Sequence, residues 1–224
     1  MSGMAGQPGP EPSGLDALAA LGEPTRRALY AYVVAQDRAV SREEAASATS
    51  TKRATAAFHL DRLVDDGLLE ARFARVSGRT GPGAGRTAKL YARARRQVAV
   101  SLPPRRYEIA AEVLASALEA AERQAAPVGE AVAQAAGQAG RQIATGGAGL
   151  ADALSRSGYE PKQSPDGCIH LANCPFHGLL ARHADLVCAM NLHLLRGLIG
   201  ELGACAQARL DPAEGRCCVT ITLS

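Results

Sequence analysis

The chain has 224 residues, 47% of them hydrophobic and only 4% aromatic, with 25 Lys and Arg against 22 Asp and Glu for a formal net charge of +3. That length suits two domains, each able to bury a modest core without disulfides. No uninterrupted apolar run approaches the roughly 18 residues of a spanning helix, and Glu130, Gln134, Gln138 and Arg141 break the alanine-rich middle, so a membrane role is excluded.

Residues 1–14, MSGMAGQPGPEPSG, lack the cationic start and apolar stretch of a signal peptide, so a disordered tail and a cytoplasmic location are expected. Ser41-Arg42-Glu43-Glu44 has the form of a capping box that starts a helix. Ala48-Thr49-Ser50-Thr51 then supplies small polar residues for a tight turn, without a glycine. From Thr51 onward, Ala56, Leu60, Leu63 and Val64 recur on one face of a second helix and leave Lys52, Arg53, Thr55 and His59 near the other. Two helices so joined form a helix-turn-helix, whose second helix can enter a major groove; a surface helix with solvated charges is the alternative. Gly67 can end that helix in the left-handed conformation. Residues 68–76 read as a strand, residues 77–86 as a glycine-rich tip, and Lys89-Leu90-Tyr91 as a returning strand. Arg72, Arg75, Arg79, Arg86, Lys89 and Arg93 lie in or beside this wing, where cations meet the DNA backbone rather than bases. Charge agrees: residues 1–106 hold 17 Lys and Arg against 10 Asp and Glu, residues 107–224 hold 8 against 12.

Three segments in order, LGEPTRRAL at 21–29, FHLDRLVDDGLL at 58–69 and GRTAKLY at 85–91, resemble the ArsR-type winged-helix repressors. The resemblance implies a homodimer whose recognition helices read two half-sites of a double-stranded DNA operator while the wings touch flanking backbone. Some of these repressors carry metal-binding cysteines at the start of the recognition region. This chain has none there, so sensing is expected elsewhere.

Pro103-Pro104 marks a boundary. Residues 107–123 place Ala110, Val113, Leu114, Ala117, Leu118 and Ala121 on one stripe, expected as the dimer seam, although a core helix within one subunit carries the same pattern. After Pro127, residues 128–144 resume as a helix rich in Ala and Gly, and residues 150–157 form a short one.

All six cysteines follow: Cys168, Cys174, Cys188, Cys205, Cys217 and Cys218, with His170, His177, His183 and His193 among them. Clustered Cys and His in a cytosolic chain point to metal or redox chemistry. One helix is expected after Asn173-Cys174-Pro175-Phe176-His177 and another from Leu186 to about Leu202, with strands at 206–210 and 216–223. Cys217 and Cys218 would start the last strand with side chains on opposite faces, so one of them, Cys217, is expected to join Cys174 and Cys188. No CxxC pair is present, which counts against an ordinary structural zinc site. Cys205 and Cys168 read as small hydrophobes.

The segments NCPFH, LVCAMN and GRCCV resemble the C-terminal sensor of SufR-like repressors, which implies an iron–sulfur cluster, of the 4Fe-4S type, on Cys174, Cys188 and Cys217. His177, Cys218, Asp211 or a small molecule is left as the fourth ligand. Mixed-ligand zinc, or a small-molecule pocket like that of vinyl-reductase-like domains, stays open, as does thiol oxidation without a cluster. An enzyme would need Cys174 as nucleophile with His177 or His183 as base; nothing orients such a base, and no enzyme is expected. The expected fold is α+β: a winged helix at 15–102, a helical dimerisation region at 103–145 and a Cys-rich sensor domain at 146–224.

Overall fold

The computed structural model describes residues 14–75, 87–145, 149–165 and 167–223, excepting the side chains of Arg75 and Thr87. The expected tail at 1–13 and the wing tip with Arg79 and Arg86 lie outside the described residues. The chain divides into two compact units between Val100 and Ser101.

The first unit runs α1 (Gly14–Ala20), α2 (Pro24–Val34), β1 (Val40–Ser41), α3 (Arg42–Ala48), α4 (Arg53–Asp65), β2 (Leu69–Arg75) and β3 (Thr87–Arg93). Glu23 caps α2 by accepting the Thr25 and Arg26 amides, with Pro24 at the first helical position. The capping box of α3 forms: Ser41 Oγ accepts the Glu44 amide at 3.2 Å and the Glu44 carboxylate accepts the Ser41 amide at 2.8 Å. The turn into α4 passes through Ser50 at φ +52°, a left-handed position that costs a non-glycine residue about 1–2 kcal/mol. Flanking hydroxyls hold it, Thr49 donating to the Ala45 carbonyl at 2.8 Å. Gly67, at φ +69°, closes α4 with the Leu68 amide bonded back to the Leu63 carbonyl. The strands form one antiparallel sheet in the order β1-β3-β2, with Leu69 opposite Arg93 and Arg75 opposite Thr87. Leu29, Val33, Val40, Leu60, Leu63 and Tyr91 fill the core.

The second unit runs α5 (Tyr107–Gln124), α6 (Val128–Ala144), α7 (Leu150–Arg156), β4 (Pro161–Gln163), β5 (Cys168–Leu171), α8 (His177–Glu201), β6 (Ala206–Leu210) and β7 (Val219–Leu223). Helix α8 is interrupted at His183 (φ −139°, ψ 36°), so it consists of two helical segments, as the sequence anticipated. The four strands form an antiparallel sheet ordered β4-β5-β7-β6. Helices and sheet share one core, which includes Val113, Leu154, Phe176, Met190, Leu198 and Ile221. Helices α6 and α8 approach backbone to backbone at Gly140 and Gly197, where an added Cβ would strike the Leu194 and Gly137 carbonyl oxygens.

The α+β fold agrees with the sequence. Three local expectations are corrected. Residues 103–145 and 146–224 are one packed body, because α5 and α6 complete the core that holds α8 and the sheet. The expected dimer seam is largely covered within its own chain: Ala110, Val113 and Ala117 are buried, while Leu118 stays 62% exposed. The last strand begins at Val219 rather than Arg216, and β4 and β5 are additions. Among the described residues no helix is long and apolar enough to cross a membrane.

Candidate functional site

Helix α4 buries Ala56, Leu60 and Leu63 against α2 and the sheet, which fixes what it presents outward. Lys52, Arg53, Ala54, Thr55, Phe58 and Arg62 are exposed. Arg53 reaches back to Glu43 of α3 at 2.5 Å, and Arg62 Nε lies 3.2 Å from Asp66. His59 does not share this surface, contrary to expectation. Its side chain is 12% exposed, with Nε2 3.6 Å from the Glu23 carboxylate at the start of α2 and Nδ1 buried without a partner.

Lys89 is likewise turned to the protein rather than held free for phosphate. Its Nζ lies 2.6 Å from Asp61 Oδ1 of α4, and the same oxygen accepts the Tyr91 hydroxyl at 2.7 Å. Burial alone would raise the Asp61 carboxyl. The hydrogen bonds from Lys89 and Tyr91 outweigh it and hold the group below the usual carboxylate range. Burial and the Asp61 charge push the Tyr91 phenol up. The result is a polar clasp that ties the wing strand β3 to α4. Arg72 of β2 pairs with Glu70 on the same strand.

In the second unit four thiols converge from three places. Cys174 lies in the turn before α8, Cys188 on α8, and Cys217 and Cys218 in the turn before β7. Cys217 contacts Cys174 and Cys218, and Cys218 also contacts Cys188. Both members of the Cys217-Cys218 pair reach the cluster because they precede the strand and escape its alternation of faces. Cys217 is fully buried and Cys174 nearly so, while Cys188 is half-buried. Asn173 fixes the Cys174 turn, its side-chain amide donating to the Gly158 carbonyl at 2.6 Å and the Pro104 carbonyl at 2.9 Å; Arg105 donates to the Cys174 carbonyl.

Hydrogen-bonding side chains come with the thiols. Asn191 donates to Cys217 Sγ at 3.2 Å, and its carbonyl oxygen accepts the buried Tyr159 hydroxyl. Hydrogen bonds from Cys174, Cys218, Asn191 and the Val219 amide favour the Cys217 thiolate over its burial, so the Cys217 thiol is pulled down while donation to it pushes Cys174 and Cys218 up. Burial, followed by these sulfurs, raises Tyr159 as well.

Of the other candidate ligands, His177 is exposed at the start of α8. Asp211 is engaged by Arg216 at 2.8 Å and by Thr220 at 3.1 Å. Cys168 lies on β5 beside Thr222, and Cys205 is exposed.

Residues 21–72 match the helix-turn-helix domain family. Comparison with curated proteins and with solved structures finds no match. The match ends within β2, so it spans the helix-turn-helix of the winged-helix unit and none of the thiol cluster. A helix-turn-helix of this kind serves DNA-binding transcriptional regulators, and the exposed cations at the N-terminal end of α4 suit that role.

The thiol cluster admits two chemistries. Four thiols with a hydrogen-bonded surround are donors for a thiophilic group, an iron–sulfur cluster or zinc. As they stand, the sulfurs form a line of contacts, Cys174 to Cys217 to Cys218 to Cys188. Among the described residues no three Cys, His, Asp or Glu are spaced around one point as a single metal ion requires. Touching thiols are also the starting arrangement for disulfide formation. Sequence reasoning missed Asn191 and Tyr159. Asn191 follows Cys188 by three residues on an otherwise apolar helix face, a signal that a buried polar partner was needed there.

Proposed function

We propose that the chain is a DNA-binding transcriptional regulator, acting as a homodimeric repressor, whose operator affinity is set by the state of the thiol cluster in its second unit. The observation that carries the sensing half is the meeting of Cys174, Cys188, Cys217 and Cys218, distant in sequence, in a chain whose first unit is a helix-turn-helix. Buried thiols that only filled space would have no need of one another, nor of the Asn191 and Tyr159 relay.

The donor chemistry fits a cluster of the 4Fe-4S type. Cys174, Cys188 and Cys217 would hold it, with Cys218 as the fourth thiol, and it would supply a group whose gain and loss follow iron supply and oxidants. The chain's own part is to favour the Cys217 thiolate through hydrogen bonds from Cys174, Cys218, the Val219 amide and Asn191, and to tether the Cys174 turn through Asn173 and Arg105. A second reading, thiol oxidation without a cluster, is favoured by the direct sulfur contacts. In that case Cys217 is the nucleophile toward an oxidised neighbour.

Anaerobic purification followed by absorption spectroscopy and iron and acid-labile sulfide analysis tests the reading. A broad band near 400 nm with stoichiometric iron and sulfide supports the cluster. Colourless protein that forms Cys174–Cys217 or Cys188–Cys218 disulfides with peroxide supports the second reading. Colourless protein whose four thiols stay unchanged under both treatments refutes the sensor.

A further inference from the structure

The outward face of α4 has an unusual composition for a helix that meets a polyanion. At about 100° per residue, Phe58 stands about 200° round from Ala56, diametrically opposite the buried stripe, and its side chain is 66% exposed. Ala54 and Thr55 flank it one turn toward the N-terminus, and both are exposed. The Phe58 ring is braced edge-on by His59, with centroids 5.3 Å apart. An exposed aromatic ring at the centre of a helix face is costly to leave in water. The cations that could make bidentate base contacts are committed elsewhere or stand at the margin: Arg53 to Glu43, Arg62 to Asp66, and Lys52 at the helix start.

We propose that Phe58, with the methyl groups of Ala54 and Thr55, is a specificity-determining residue that reads thymine C5-methyl groups in the major groove, the marginal cations holding phosphate. This inference rests on the reading of α4 as a DNA-recognition helix. The major groove displays the thymine methyl as its one apolar feature, and Ala, Thr and Phe are the side chains suited to it. The charges fit a groove: Lys52 lies at the N-terminal end of α4, where the helix dipole also attracts phosphate. Of the acidic groups on this side of the helix, Asp61 is paired with Lys89 and Asp65 lies at the far end.

The probe is duplex DNA selected by the full-length protein from a random library, resynthesised with deoxyuridine in place of each thymine in turn, which removes only the methyl group. The expected result is a loss of about fourfold in affinity at one or two positions per half-site. Phe58→Ala should lose most of the preference for the thymine over the uracil duplex, and Phe58→Leu should keep more of it. Phe58 is exposed, and an unchanged thermal unfolding curve for both variants verifies the fold. Selected sites without thymine, wild-type indifference to every replacement, or an undiminished thymine preference in Phe58→Ala would each overturn the proposal while leaving DNA binding intact. Failure to select any sequence would overturn the DNA-recognition reading itself, and this inference with it.

Discussion

Substituting Gly140 by alanine probes the joint on which the thiol cluster is mounted. A methyl at Gly140 would run into the Leu194 carbonyl oxygen and come within 2.8 Å of the Leu198 amide nitrogen, 0.6 Å short of the 3.4 Å at which ordinary contact begins. Both obstacles are backbone of α8, so no rotamer change relieves them and the helices must part. Overpacking of this kind costs about 3 kcal/mol at the upper end of its usual range. The better helix propensity of alanine returns about 1 kcal/mol. The net loss is about 2 kcal/mol. Gly200→Ala, on α8, is the control, because a Cβ there meets nothing within 4 Å. Urea unfolding of the reduced protein should therefore rank Gly200→Ala at or above wild type and Gly140→Ala about 2 kcal/mol below it. Because α8 also carries Cys188 and Asn191, the buried thiols of Gly140→Ala should react faster with an aromatic disulfide reagent. Equal stability of the two variants would refute the backbone-contact argument.

Asp61→Ala removes the clasp between α4 and β3 and leaves the buried Tyr91 hydroxyl without its acceptor; it should cost the first unit about 2 kcal/mol, and adding Tyr91→Phe should recover part of this in thermal unfolding. Ser41→Ala should cost about 1 kcal/mol through loss of the α3 cap. Hydrogen bonds from Arg38 and the Ser41 amide hold the Glu44 carboxyl at about 2 against an ordinary 4.5. Since the folded value is the lower one, this contribution to stability is present above pH 4.5 and is lost as pH falls toward 2. Arg38→Ala should raise the Glu44 midpoint in an NMR titration, and an unchanged midpoint would remove Arg38 as its cause. Cys205, exposed on a turn, should react at once with a thiol reagent in native protein, whereas Cys174 and Cys217 should wait for unfolding; mass mapping of early products distinguishes the two cases.

Local signals were legible where the chain alone decides the outcome. The Ser41 capping box and the Gly67 stop of α4 both follow from neighbours within a few residues. Partners distant in sequence were not legible. His59 lies at the edge of the α4 stripe, and Glu23, 36 positions earlier, draws it inward. Lys89 has the charge for phosphate, but its register opposite α4 gives it to Asp61. The stripe on α5 said that something covers it without saying what, and α6 of the same chain does so. For the thiols, convergence of Cys174, Cys188 and Cys217 could be read from their place at the ends of elements. The part of Cys218 could not, because it depends on the strand starting at Val219, three residues later than the pattern of apolar residues suggested.

Control of DNA binding by the thiol cluster can be read from one quantity. The most direct measurement is the affinity of one selected duplex for the anaerobic, cluster-loaded protein and for the same preparation after chelation, at a single fixed salt concentration. The expected result is a difference of tenfold or more, about 1.4 kcal/mol of coupling, that vanishes in Cys174→Ser, Cys188→Ser and Cys217→Ser and survives in Cys168→Ser and Cys205→Ser. Equal affinity of the two wild-type forms would contradict it and leave the cysteines as core residues.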